Sequence, residues 1–100
     1  MIKMRRDTLK QAVETYGAKA QLNTTIEKFA DLIKEICKHT QYMDNTKAII
    51  EKIADCYIML EQMQIIFGLG STVVFDVIDK KIKQLKSRLS ESTTEKDKDE

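Results

Sequence analysis

Apolar residues recur at intervals of three and four along four stretches of the chain, the spacing that places them on one face of a helix. The first stretch runs from Thr8 to about Tyr16, with Leu9, Ala12, Val13 and Tyr16 in phase and Gly17 as its stop. The second runs from Gln21 or Asn23 to Lys38 or His39 and aligns Ile26, Phe29, Ala30, Ile33, Ile36 and Cys37, with Asn23 or Thr24 as cap. The polar segment His39 to Asn45 is short enough to make the flanking helices antiparallel neighbours, with Asp44 or Asn45 as the next N-cap. The third helix, about Thr46 to Phe67, is the most apolar. Its second half is apolar on nearly every side, which predicts burial on two fronts, one within the subunit and one between subunits. Gly68-Leu69-Gly70-Ser71 breaks the pattern, and Ser71 is expected to cap a fourth helix from about Thr72 to Leu89, with Val74, Val77, Ile78, Ile82, Leu85 and Leu89 on its apolar side. The two glycines have neither a preceding strand nor a Gly-Lys-Ser/Thr ending, so they read as a helix turn and not as a phosphate loop.

Composition sharpens this to an all-α chain. No proline, three glycines and 33% charged residues suit helices. One hundred residues support one core, here residues 1–89, followed by a polar tail, residues 90–100, with no apolar residue and an expected lack of order. A four-helix subunit of this size leaves apolar surface uncovered, and a second copy of the chain is the simplest cover, which predicts a homodimer or dimer of dimers in a helical-bundle oligomer. The last ten residues carry a net charge of −3, leaving about +4 on the body. That excess suits a small anion and falls short of the basic stripes that bind nucleic acid. Cys37 and Cys56 lie within apolar patterns and read as buried thiols of a reducing cytoplasm. Neither a signal peptide nor a membrane span is expected, which points to the cytoplasm.

The carboxylates bear on function. Glu27 and Asp31 lie one turn apart on helix two, as do Glu51 and Asp55 on helix three, so antiparallel packing can bring the two pairs face to face. Such a quartet suits Mg²⁺ and a polyphosphate, because Mg²⁺ takes carboxylate and phosphate oxygens. The plain alternative is solvated helix surface. His39 reads as a helix-end charge, Met59 and Met63 as packing, and Tyr57, Tyr42 and Phe29 as core or rim residues before they read as base-stacking groups.

The segments Gln21 to Ile33 and Ile50 to Gln62 resemble the two halves of the signature of the MazG-like nucleoside triphosphate pyrophosphohydrolases, Glu-Glu-x-x-Glu followed by Glu-x-x-Asp. Tyr16-Gly17 with Gln21, and Lys81 with Leu85, Arg88 and Leu89, extend the similarity over most of residues 8 to 89, closest to the short phage-encoded forms. The resemblance implies a four-helix MazG-like subunit with metal-binding acids at positions 28, 31, 52 and 55. Only Asp31 and Asp55 are acids here; the other two are Lys28 and Lys52.

An ammonium repels Mg²⁺ and cannot ligate it, whereas it binds phosphate well. Two lysines can take over the electrostatic part of the lost ions, and hydrolysis without metal-activated water is expected to be slow or absent. The reading that follows is a non-catalytic, metal-independent nucleotide-binding protein with no cofactor. Lys28, Asp31, Lys52, Asp55, Gln21, Glu27, Glu51 and Lys81 are its candidate ligand-binding residues. The phage resemblance adds a purpose, sequestration of a nucleotide-derived immune signal in a bacterial host cytoplasm. Three alternatives stay open. One is an active Mg²⁺-dependent NTP or dNTP pyrophosphohydrolase, with Asp31, Asp55, Glu27 and Glu51, or Glu35 as a substitute, on the metal. Another is that Lys28–Asp31 and Lys52–Asp55 are ordinary i,i+3 ion pairs. The last is a structural helical interaction protein.

Overall fold

The computed structural model describes residues 2–41 and 43–99, with side chains from 5 to 92; Tyr42 lies outside the described residues. Among the described residues there are four α-helices and no strand: α1 (Ile2–Tyr16), α2 (Ala18–His39), α3 (Thr46–Ile66) and α4 (Val73–Asp99). Helix formation follows from the absence of proline and the 3.6-residue apolar period. The chain divides into two compact units, Met1–Gly68 with α1 to α3 and Leu69–Glu100 with α4.

In the first unit Gly17 does more than stop a helix. Its N–H donates to the Val13 carbonyl at 2.8 Å, and its own carbonyl accepts from Gln21 N–H at 3.1 Å, so one residue ends α1 and starts α2. This requires φ +90, a conformation natural only to glycine. Helix two therefore begins at Ala18, earlier than the expected cap at Asn23 or Thr24. Thr24 instead donates its hydroxyl to the Ala20 carbonyl one turn back at 3.0 Å. At the far end Lys38 and His39 occupy the last turn of α2, where cations complement the helix dipole. The Thr40 hydroxyl closes that end by donating to the Cys37 carbonyl at 2.7 Å.

The long helices pack antiparallel. Gln21 meets Gln62, Lys28 meets Asp55 and Glu35 meets Asn45, so the partner's number falls on α3 as the residue number rises on α2. The seam between them is polar as well as apolar. Its buried residues include Gln21 and Thr25 from α2 and Cys56, Met59 and Gln62 from α3, joined by Leu9 of α1. The Gln21 Nε2 donates to Gln62 Oε1 at 2.6 Å, and the Thr25 hydroxyl to the Gln21 carbonyl at 2.8 Å, so these buried polar groups are matched inside the protein.

This corrects the expected core. Ile26, Ile33 and Ile36 of α2 and Ile50, Ile53, Tyr57, Ile58 and Leu60 of α3 are all exposed, and so is Cys37, which was expected to be buried; Cys56 is buried as expected. The apolar pattern does mark one face of each helix, but the hairpin closes on the adjoining face, where the pairing partners sit. Burying a large aliphatic side chain contributes about 1.5–3 kcal/mol. Seven such residues and Tyr57 left exposed leave unrealised an amount comparable with the ~5–15 kcal/mol net stability of a whole domain.

In the second unit the Thr72 carbonyl accepts from Asp76 N–H at 2.8 Å, so α4 starts one residue later than a Ser71 cap predicts. The helix continues to Asp99, through residues whose composition predicts no order. No proline or glycine interrupts that stretch, and a helix needs a reason to stop. Phe75, Ile78, Ile82, Leu85 and Leu89 are exposed along it. No helix among the described residues is long and apolar enough to cross a membrane.

Candidate functional site

The pentapeptides Glu27-Lys28-Phe29-Ala30-Asp31 and Glu51-Lys52-Ile53-Ala54-Asp55 share one pattern, and the antiparallel register sets them opposite each other. Each lysine on one helix then stands level with the aspartate of the other. Lys28 Nζ lies 3.9 Å from Asp55 Oδ2, with both side chains a little over one-third exposed. Lys52 and Asp31 hold the matching positions, both half-buried, yet no ion pair joins them among the described residues. The expected i,i+3 pairs, Lys28–Asp31 and Lys52–Asp55, are likewise not formed. The one contact made runs between helices, because the two helix backbones face each other at this level.

Cys56 forms the floor of the cluster, a residue that sequence reasoning placed in the core without a part in the site. Its thiol donates to the Lys28 carbonyl at 3.6 Å. Burial pushes the Cys56 thiol up from its ordinary value, and the charges of Asp55 and Asp31 push it further, so both carboxylates act on the same sulfur. The cluster thus holds two ammonium and two carboxylate groups around a protonated, inert thiol. The repeated pentapeptide was the signal that could have located it.

The other candidates separate from this cluster. Gln21 is buried and held by Gln62, about two helical turns from Lys28. Glu27 and Glu51 are exposed. Glu35 is engaged elsewhere, accepting from Asn45 Nδ2 at 2.8 Å and from Lys38 Nζ at 3.4 Å. Those partners hold its carboxyl below the usual carboxylate range, the Asn45 hydrogen bond most of all. Lys81 is exposed on α4, in the second unit.

Among the described residues no three His, Cys, Asp or Glu side chains converge to hold a metal ion. The quartet Asp31, Asp55, Glu27 and Glu51 is not assembled, and Lys28 stands against Asp55 where a cation would sit. These residues do not fit Mg²⁺ as they are arranged. A separate cleft of about 160 Å³ lies between α1 and α3, lined by Arg5, Tyr57, Ile58 and Glu61. Arg5 Nη2 donates to Glu61 Oε1 there at 3.4 Å. The sequence reading began helix one at Thr8 and so left Arg5 out. Compared with protein families, curated proteins and solved structures, the chain matches none.

Proposed function

We propose that the chain is a non-catalytic, metal-independent nucleotide-binding protein that sequesters a nucleotide or a nucleotide-derived signal and works as an oligomer of identical subunits. The observation that carries this reading is the placement of Lys28 and Lys52 within one helical turn of each other along the α2–α3 hairpin, from opposite helices. Lys52 has no ion-pair partner among the described residues, and Lys28 is held only by a long, partly exposed pair, a kind of contact worth about 0–1 kcal/mol. Two ammonium groups so loosely engaged are available to phosphate oxygens, and the ligand replaces Asp55 as the partner of Lys28. Lys28 and Lys52 stand where the resemblance implies metal-binding acids, and an ammonium cannot hold the ion that would activate water, which favours holding a ligand over cutting it. The resemblance to short phage-encoded MazG-like proteins supplies the context: in a bacterial host, an abundant binder of this kind would deplete a nucleotide immune signal.

A ligand-retention assay tests the reading. The protein is incubated with a nucleotide panel and with lysates of bacteria producing such signals, in EDTA or in Mg²⁺, then heat-denatured, and the released material is identified. Intact nucleotide recovered in EDTA, and lost by at least tenfold in a Lys28→Glu/Lys52→Glu variant, is the expected result. Cleaved products that appear only with Mg²⁺ would establish the pyrophosphohydrolase instead. Retention of nothing by the folded protein would leave the structural interaction protein.

A further inference from the structure

The outward apolar residues of the hairpin are ordered. On α2 they are the exposed Ile26, Ile33 and Ile36 with the half-buried Phe29, and on α3 the exposed Ile50, Ile53, Tyr57 and Leu60, each set at alternating three- and four-residue steps. That is the spacing of a helix–helix packing stripe. At 100° per residue, each stripe lies roughly 100° round from the α2–α3 seam, in the same rotational sense along its own chain direction. Because the helices run antiparallel, equal rotations bring both stripes to the same side of the hairpin. Exposure agrees: Ile26 is 67% exposed, Ile33 61%, Ile50 61% and Tyr57 67%. None of the eight residues is charged.

We infer that this face is covered by the same face of a second copy of the chain, two hairpins closing into a four-helix bundle. Two helices with one apolar side are half of such a bundle, and the matching three–four rhythm of the stripes makes the face self-complementary, as a two-fold interface must be. A neutral stripe puts no like charges together when a copy meets itself. The α4 stripe differs in this respect, since Lys80, Lys81, Lys83, Lys86 and Arg88 crowd it and resist pairing with their own copies. The inference deepens the oligomeric part of the proposed function by naming the surface, and it stands independently of the nucleotide.

Sedimentation of the full chain across a concentration series tests it. The wild type is expected at a multiple of 11.6 kDa, and an Ile33→Glu/Ile50→Glu variant at 11.6 kDa with its helical circular dichroism retained. Should that variant fail to fold, Ile33→Ala/Ile50→Ala keeps good helix formers in place and is expected to raise the dissociation constant by about a hundredfold or more. An Ile82→Glu control on α4 is expected to leave association unchanged. A wild type that stays monomeric throughout overturns both this interface and the oligomeric reading. An oligomer that survives the Ile33 and Ile50 substitutions, or that Ile82→Glu dissociates, overturns this interface while the oligomeric reading stands. Neither result bears on nucleotide retention.

Discussion

Asn45 occupies the N-cap of α3, the position its place after a polar segment predicts, but its side chain does not cap that helix. It reaches back to α2 and donates through Nδ2 to the Glu35 carbonyl and to Glu35 Oε2, both at 2.8 Å. One amide thereby ties the start of α3 to the end of α2. Its bond to the backbone carbonyl contributes about 1 kcal/mol, so Asn45→Ala is expected to lower the denaturant midpoint by a corresponding amount. The pH dependence carries a second signature. Glu35 has its folded pKa lowered from the ordinary 4.5, so its contribution is present above that value and lost as pH falls through the folded pKa. Removal of Asn45 takes away the largest cause of that lowering. Stability measured by urea unfolding between pH 5 and pH 3 should then fall less steeply in Asn45→Ala than in the wild type; an equal slope would show that Asn45 does not set the Glu35 titration.

At the scale of elements, the apolar period locates three of the four helices well at one end and less well at the other. At the start of α2 the difference comes from glycine. Gly17 reads as a stop, and the hydrogen-bond pattern also makes it the start of α2, three residues or more before the polar side chains that resemble caps. A Cβ at Gly17 would meet nothing within 4 Å, so the effect of Gly17→Ala comes from the backbone alone. At φ +90 that substitution is expected to cost about 1–3 kcal/mol, measured by chemical denaturation. A cost near zero would mean that the junction relaxes into one continuous helix. Gly68, at φ +63, performs the corresponding turn after α3 and was legible because it follows the last apolar residue of the period. The extension of α4 to Asp99 was not legible, since composition records the lack of a core and says nothing against a solvated helix.

The whole molecule turns on how little apolar surface the hairpin keeps to itself. Among the described residues the buried apolar ones are Cys56 and Met59 of α3 with Leu9 of α1, beside Gln21, Thr25 and Gln62. On the proposed two-fold interface, a fold whose seam is this mixed draws the rest of its stability from association. Its thermal midpoint should therefore rise with protein concentration, each tenfold increase adding about 1.4 kcal/mol to a dimer. Scanning calorimetry or circular dichroism over two decades of concentration checks this, and a constant midpoint would show that the hairpin is stable alone.

The residue pattern alone was enough to establish the helical class, the hairpin of α2 and α3, and the odd placement of Lys28 and Lys52 beside Asp31 and Asp55. Helical periodicity is local, carried by neighbours three and four residues apart, and so it is written directly in the chain. Which flank of each helix faces its partner is not local. Tertiary packing chose the seam of Gln21, Thr25, Cys56 and Gln62, turned the isoleucine stripes outward, paired Lys28 with Asp55 in place of Asp31, and put Cys56 beneath the cluster. A periodic stripe states that a face must be covered, but the same spacing serves a partner helix in the same chain and a partner in another copy equally well. Only the register of the two antiparallel helices distinguishes them.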